Sequence, residues 1–302
     1  EAGTNGGREV ILRAKDVAES LGFEVLHIFV DALWLKRPGA LTKQDFQSVL
    51  NAISENTGLG ASLDGVYRWV AFLPSRSDSR IPVANRYFGV FQDGSLKVRG
   101  IEVRRRDTPP WVGDVQSAML KILSDAHTLE ALPEKLSEAF NFFRRALADL
   151  RAGRVPAEKL VITSRITHEL ESYKSPTPAV RAAMQLLKTT GKRVRPGQKM
   201  RFLYTCGVAD VSPWETSEKI DPASLDVEKY VELLSRAAAS VFYPFGVEME
   251  DLKQWAHSAT IRLPLNFERQ KTHVRQIFDH VRSGRVEGHA GVGGRARRAG
   301  PQ

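Results

Sequence analysis

The stretch Val25-Leu26-His27-Ile28-Phe29-Val30-Asp31-Ala32-Leu33-Trp34-Leu35 decides how the chain is read. It is dense in β-branched and aromatic residues, which predicts a strand from Phe23 to Leu35. Side chains alternate across a strand, so His27, Phe29, Asp31 and Leu33 are expected on one face. An ionised aspartate in so apolar a run is costly unless it is hydrogen-bonded, paired or bound to a metal. Asp31 is therefore either an acid satisfied at a turn or a ligand. His27 is open to packing, hydrogen bonding or ligation of a soft metal.

On the N-terminal side, Val10, Ile11, Ala14, Val17, Ala18 and Leu21 recur at helical spacing. They predict a helix over 8–21 that Gly22 stops. On the C-terminal side, Lys36-Arg37-Pro38-Gly39 reads as a turn. A second helix is expected from Thr42 to Thr57, with Thr42 as N-cap and Asp45 three residues on. Val66–Leu73 reads as a strand. Arg86–Phe91 and Leu96–Arg104 read as a hairpin closed by Gln92-Asp93-Gly94-Ser95, since Asp-Gly is a strong turn signal. The first third is thus mixed α and β with a mostly antiparallel sheet. After Thr108-Pro109-Pro110 the pattern turns helical, with helices expected over 115–126, 132–152, 178–189 and 227–242 and a short strand over 199–206. Gly284–Gln302 holds six glycines and few large apolar residues. Disorder is expected there, because little can offset the entropy of ordering it.

The chain has 302 residues, which suggests roughly two domains. Hydrophobic residues make up 42% and charged residues 26%, an ordinary globular balance that rules out a collagen-like or wholly disordered chain. No run is long and apolar enough for a membrane helix. Cys206 is the single cysteine, so neither an internal disulfide nor a cysteine-based zinc site can form. The first residue is Glu1, and the chain reads as a piece of a longer protein or a processed product. Lys and Arg number 44 against 35 Asp and Glu, a net charge of +9. Residues 266–302 hold eight basic and three acidic residues, so much of the excess sits in the tail. A mildly basic body with a basic tail suits a polyanion, although many proteins reach this balance with no nucleic acid partner.

Several landmarks resemble family B DNA polymerases. Gly22-Phe23-Glu24-Val25-Leu26 followed by His27-Ile28-Phe29-Val30-Asp31-Ala32 resembles the family's third polymerase motif, Tyr-x-Asp-Thr-Asp-Ser, with its preceding helix and Gly-Phe-x-Val-Leu lead, and the resemblance implies a palm hairpin with Asp31 at its turn end. Ala84-Asn85-Arg86-Tyr87 resembles the Lys-Lys-Arg-Tyr segment, and residues 99–107 (Arg99-Gly100-Ile101-Glu102 through Asp107) resemble the block Arg-Gly-Leu-Glu-x-x-Arg-Arg-Asp. Pro156-Ala157-Glu158-Lys159-Leu160, Ile166-Thr167, Tyr173-Lys174 and Val194-Arg195-Pro196-Gly197 resemble thumb landmarks. They occur in order, with similar spacing, from about Arg8 to Trp255, and an ordered series is more specific than any one of its members.

The resemblance implies an α+β fold: a partial palm with a mostly antiparallel sheet over 1–107, a mainly helical thumb over 108–257, and a basic, largely disordered tail over 258–302. It implies template-directed nucleotidyl transfer by two Mg²⁺ ions in the complete enzyme. Asp31 matches the second acid of the third motif and becomes the candidate catalytic residue and metal ligand. Phe29, His27 and Ala32 replace the first acid, the tyrosine and the serine, and phenylalanine cannot ligate a hard cation. The family's first and second motifs, with the other carboxylate and a nucleotide-gripping lysine, are not in this chain. The isolated chain is therefore expected to be inactive.

Asn85, Arg86, Tyr87, Arg104, Arg106 and Lys174 become candidate DNA contacts, with Arg104 and Arg106 expected on one face of a strand. The plainer alternative, which the resemblance outweighs, is an exposed hairpin arginine at Arg86 and a half-buried tyrosine at Tyr87. The implied partners are primer–template DNA, deoxynucleoside triphosphates and the upstream polymerase segment, with no membrane and a cytoplasmic, nucleoid-associated location. The alternative is a catalytically dead, polymerase-derived DNA-binding or scaffolding module.

Overall fold

The computed structural model describes residues 2–75, 82–128, 131–216, 221–257 and 289–293. The chain divides into two compact units, one of Glu1–Arg99, Ser124–Pro133 and Thr272–Gln302, the other of Gly100–Leu123 and Glu134–Lys271.

The first unit opens with helix α1 (Ala2–Ser20). It ends where Gly22 takes φ of 79°, and the Phe23 N–H donates back to the Ala18 carbonyl at 3.1 Å. The expected single strand over 23–35 is instead a hairpin of β1 (Glu24–Phe29) and β2 (Ala32–Lys36). Phe29 pairs with Ala32, so Val30 and Asp31 alone make the turn. The shared face expected for His27, Phe29, Asp31 and Leu33 is lost with it. Leu33 packs among the helices, Phe29 lies in the opposite layer, and Asp31 belongs to neither strand. The turn carries none of the usual Gly or Asn signals, and Val30 adopts φ of 50°, a conformation that β-branched residues rarely take.

A turn of tight helix (Lys43–Phe46) leads into α2 (Gln47–Thr57). The Asp45 carboxylate accepts the Thr42 N–H at 2.8 Å and the Thr42 hydroxyl at 2.7 Å, as the spacing predicts. These bonds hold the Asp45 pKa below the usual carboxylate range.

Strands β3 (Ser62–Pro74), β4 (Pro82–Phe91) and β5 (Leu96–Arg99) follow. Gly94 closes the β4–β5 hairpin with φ of 84°. β5 stops at Arg99, short of the expected Arg104. Gly100 turns the chain at φ of 68°, Ile101 drops into the core, and Glu102–Arg104 forms one turn of tight helix. Arg104 and Arg106 therefore share no strand face.

Residues 289–293 form β9 (His289–Gly293), antiparallel to both β2 and β3. This departs from the disorder expected for the tail: the backbone groups of β2 and β3 that face each other are met by an extended segment. Residues 258–288 and 294–302 lie outside the described residues.

The sheet order is β1-β2-β9-β3-β4-β5. Bulges in β1 and β3 increase its twist, and the sheet curls until β1 meets β4. One face packs on α1 and α2 through Leu33, Leu35, Phe46, Val49, Ile53 and Val66. Burying each such side chain fully is worth about 1.5–3 kcal/mol. The inside of the curl is a layer of aromatic rings.

The second unit is largely helical: α3 (Pro110–Ser124), α4 (Leu132–Arg151), α5 (Pro178–Thr190), α6 (Val227–Phe242) and α7 (Met249–His257). A small antiparallel sheet joins β6 (Ile162–Arg165), β7 (Lys199–Tyr204) and β8 (Val211–Pro213) in that order. Phe140 anchors the core, its ring 4.9 Å from Trp255 and 6.2 Å from Phe242. Asp226 caps α6 by accepting the Lys229 N–H at 3.0 Å. The architecture is mixed α+β, with antiparallel sheets and a mainly helical C-terminal region. Among the described residues no helix is long and apolar enough to cross a membrane.

Candidate functional site

Asp31 stands at the tip of the β1–β2 hairpin, exposed, with no hydrogen bond or ion pair among the described residues. Val30 beside it is 72% exposed. The tip is thus an unshielded carboxylate on a strained two-residue turn.

Below the tip lies the aromatic layer. The His27 ring sits 4.7 Å from Phe72 and 5.6 Å from Trp34, and its Nε2 is buried with no partner among the described residues. Burial pulls the His27 pKa below the usual imidazole value. Trp34 meets Tyr87 edge-on at 5.4 Å, so the curl brings the hairpin that carries Asp31 against the strand that carries Tyr87.

The three residues of the Asn85–Tyr87 segment differ in display. Asn85 is exposed. The half-buried Arg86 donates from Nη1 to the Pro74 carbonyl at 2.7 Å. Tyr87 is only 2% exposed and forms part of the layer rather than of the surface. Arg99, opposite Tyr87 on β5, is exposed and places its guanidinium 5.8 Å from the centre of the Phe29 ring. The sequence reading did not single out Arg99, because only the curl of the sheet brings β5 near β1.

In the second unit, Arg104 and Arg106 are both exposed on the turn after Ile101. That turn is pinned from below by Gln116, a fully buried side chain that the sequence reading also passed over. Its Nε2 donates to Glu102 at 3.0 Å and to the Ala237 carbonyl at 2.8 Å, and its Oε1 accepts the Val103 N–H at 2.6 Å. Arg105, between the two exposed arginines, grips Asp107 through two bonds of 2.9 and 2.6 Å.

Lys174 is exposed beside Tyr173. The Tyr173 hydroxyl accepts the N–H groups of Thr167 and His168, each at 3.1 Å, and bonds the Thr167 hydroxyl at 2.9 Å. These bonds fix the loop that presents Lys174 and lower the Tyr173 pKa.

A cleft of about 360 Å³ opens in this unit, with Arg105, Arg165 and Arg236 on its lining alongside Tyr173, Phe202 and Tyr204. Arg236 is paired to Glu232 at 2.6 Å. Arg105 is paired to Asp107 at 2.6 Å, and Asp107 and Glu102 share the lining, so the wall carries both signs of charge.

Among the described residues no group of three His, Cys, Asp or Glu side chains stands ready to hold a metal ion. Asp31 offers carboxylate oxygens, the donor type that Mg²⁺ takes, but Phe29 offers none. The described residues therefore fit a contribution to a metal site rather than a whole one.

The family model for DNA polymerase family B matches residues 84–244, more than half of the chain. The chain belongs to DNA polymerase family B. DNA polymerase 2 of Aeropyrum pernix is 28% identical over 266 residues, covering 86% of this chain and 30% of that protein. The DNA polymerase of Archaeoglobus fulgidus is 29% identical over 185 residues, covering 61% of this chain and 22% of that protein. This family B chain thus spans less than a third of the length of these relatives. The family B DNA polymerase of Pyrobaculum calidifontis superposes with a TM-score of 0.53 at 21% identity, over 79% of this chain and 28% of that one, a likeness of fold. Within this family B chain, Asn85, Arg86, Tyr87, Arg104, Arg106 and Lys174 lie inside the family match, and Asp31 precedes it.

Proposed function

We propose that this chain is the part of a DNA-directed DNA polymerase that grips primer–template DNA and supplies one carboxylate to the nucleotidyl-transfer site. The observation that carries the reading is the free, exposed Asp31 at a hairpin tip in a chain of this family. When bound in the complete enzyme, two Mg²⁺ ions activate the primer 3′-hydroxyl and steady the leaving pyrophosphate. Asp31 gives an oxygen ligand, and the other essential carboxylate comes from the upstream polymerase segment. Asn85 and Arg86 hold backbone phosphate near the primer end, with Tyr87 fixing that strand from within the aromatic layer. Arg104, Arg106 and Lys174 supply further phosphate contacts. Deoxynucleoside triphosphates are substrates of the complete enzyme, which works on DNA in the cytoplasm, at the nucleoid.

The test is primer extension by the chain with and without the upstream segment, in Mg²⁺ and then Mn²⁺. The chain alone is expected to bind duplex without extending it. In the complete enzyme, Asp31→Asn is expected to lower extension by about 100-fold or more while leaving the melting temperature unchanged, because the carboxylate has no hydrogen bond or ion pair among the described residues. Robust extension by the chain alone, or full activity of the variant, refutes the assignment.

A second reading, a scaffolding module that keeps the shape and has lost the chemistry, is favoured by Phe29 where the family places an acid. It predicts DNA binding with no extension by the complete protein, whatever stands at position 31.

A further inference from the structure

The β1–β2 turn is built against the preferences of its own first residue. Val30 takes φ of 50°, and Asp31 after it does not share a positive φ. A two-residue hairpin loop that begins at positive φ ordinarily begins with Gly, Asn or Asp, because a branched side chain crowds the backbone there. Asp210 is the other non-glycine residue with positive φ among the described residues, and it follows the rule. Its carboxylate is held by Arg181 at 2.9 and 2.6 Å. Burial gives no reason for a valine at the tip either, since Val30 is 72% exposed.

The β4–β5 hairpin of the same sheet shows the relaxed solution and what it does to an acid. There aspartate precedes glycine. Gly94 takes the positive φ of 84°, and the Asp93 carboxylate folds back to accept the Ser95 N–H at 2.9 Å and the Ser95 hydroxyl at 2.6 Å. An acid used in this way is satisfied inside its own turn. In the β1–β2 turn a valine holds the strained position, the acid comes second, and its carboxylate has no hydrogen bond or ion pair among the described residues. The strands at the base of the turn are anchored. Leu33 and Trp34 are 2% and 5% exposed, and the Phe29 ring lies 5.8 Å from the Arg99 guanidinium.

We propose that Val30 is a positioning residue, whose strained backbone fixes the direction in which Asp31 presents its carboxylate. The left-handed region is narrow for a β-branched residue. With the strands on both sides anchored, the turn has one arrangement and the carboxylate one direction. Glycine at position 30 would relieve the crowding and let the loop pass between several backbone states, spreading the carboxylate over as many directions. Strain held by surrounding structure is what keeps an unpaired acid aimed outward. The proposal rests on the metal-ligand reading of Asp31 and adds a residue that itself offers no ligand atom.

The test compares Val30→Asn, Val30→Gly and Val30→Ile. In the full chain, Val30→Asn reaches positive φ with less strain and should raise the thermal midpoint by about 1–3 °C, while Val30→Ile keeps the branch and should leave it unchanged. In the complete enzyme, the Mn²⁺ concentration that half-saturates the protein is read by electron paramagnetic resonance. It should rise about tenfold for Val30→Gly and stay at the wild-type value for Val30→Ile. The kcat of primer extension should fall about tenfold in Val30→Gly, with the KM for nucleotide and the affinity for duplex unchanged. Asp31→Asn, measured in parallel, separates two failures. If it leaves Mn²⁺ binding intact, the metal-ligand reading beneath the proposal falls. If Asp31→Asn weakens Mn²⁺ binding and Val30→Gly does not, or if Val30→Asn fails to raise the midpoint, the positioning role of Val30 is overturned.

Discussion

His27 enters the aromatic layer as a neutral ring, and that has a pH signature. Its folded-state pKa lies below the usual imidazole value of 6.5, with burial as the cause. The unfolded chain therefore binds the proton more readily than the folded one. The stability tied to this ring is present above pH 6.5 and is lost as pH falls through that value toward the folded pKa. His27→Phe keeps a ring against Phe72 and Trp34 and removes the titration. Urea unfolding followed from pH 7.5 to 5.0 is expected to show wild-type stability falling more steeply than that of the variant; parallel curves would show that His27 charges freely in the folded state. At this scale the sequence was legible in composition and less so in direction. Asp31 stands out in an apolar run, and its place at a turn is the bland alternative that the run itself suggests. The alternation pattern hid the turn, because Val30 bends the chain with a backbone angle that its side chain disfavours, whereas the resemblance to the third motif implies a hairpin there. The expected alternation failed from that residue onward.

Among the elements, β3 and β4 approach each other closely at Gly89. A Cβ built on Gly89 would stand 2.8 Å from the Trp69 carbonyl and 2.9 Å from the Tyr67 ring. The carbonyl is part of the ladder and cannot swing aside. Gly89→Ala should therefore cost about 1–3 kcal/mol in a denaturant titration, without the gain that alanine normally brings over glycine in a strand. A neutral result would mean that the two strands have room to part. The hairpin that follows was readable from Asp93-Gly94, because a tight turn needs those residue types. Its second strand was read too long, since Arg104 and Arg106 look strand-like until Gly100 and Ile101 are placed. The three- to five-residue strands β6, β8 and β9 are too short to show a period. They exist because neighbouring strands offer unmet hydrogen bonds, which is information a linear reading does not hold.

The whole molecule was legible chiefly through order. No single landmark from Gly22 to Gly197 is specific, yet their succession indicated the family that the match over residues 84–244 shows. What order could not supply is which cations are free, since ion pairing depends on partners distant in sequence: Lys159 pairs with Asp114 and Arg181 with Asp210. The net charge of +9 therefore overstates what a polyanion meets in some places and understates it in others. Arg99, Arg104, Arg106 and Lys174 are exposed with no carboxylate partner among the described residues. If these four each displace a counterion from duplex DNA, log K should fall with log salt at a slope of about −3.6, and affinity should drop about 100-fold between about 50 and 200 mM. The dependence should be the same for unrelated duplex sequences, because phosphate contacts carry no base information. A flat salt response, or a strong sequence preference, would place the grip on base edges or apolar contacts and take the exposed cations out of the interface.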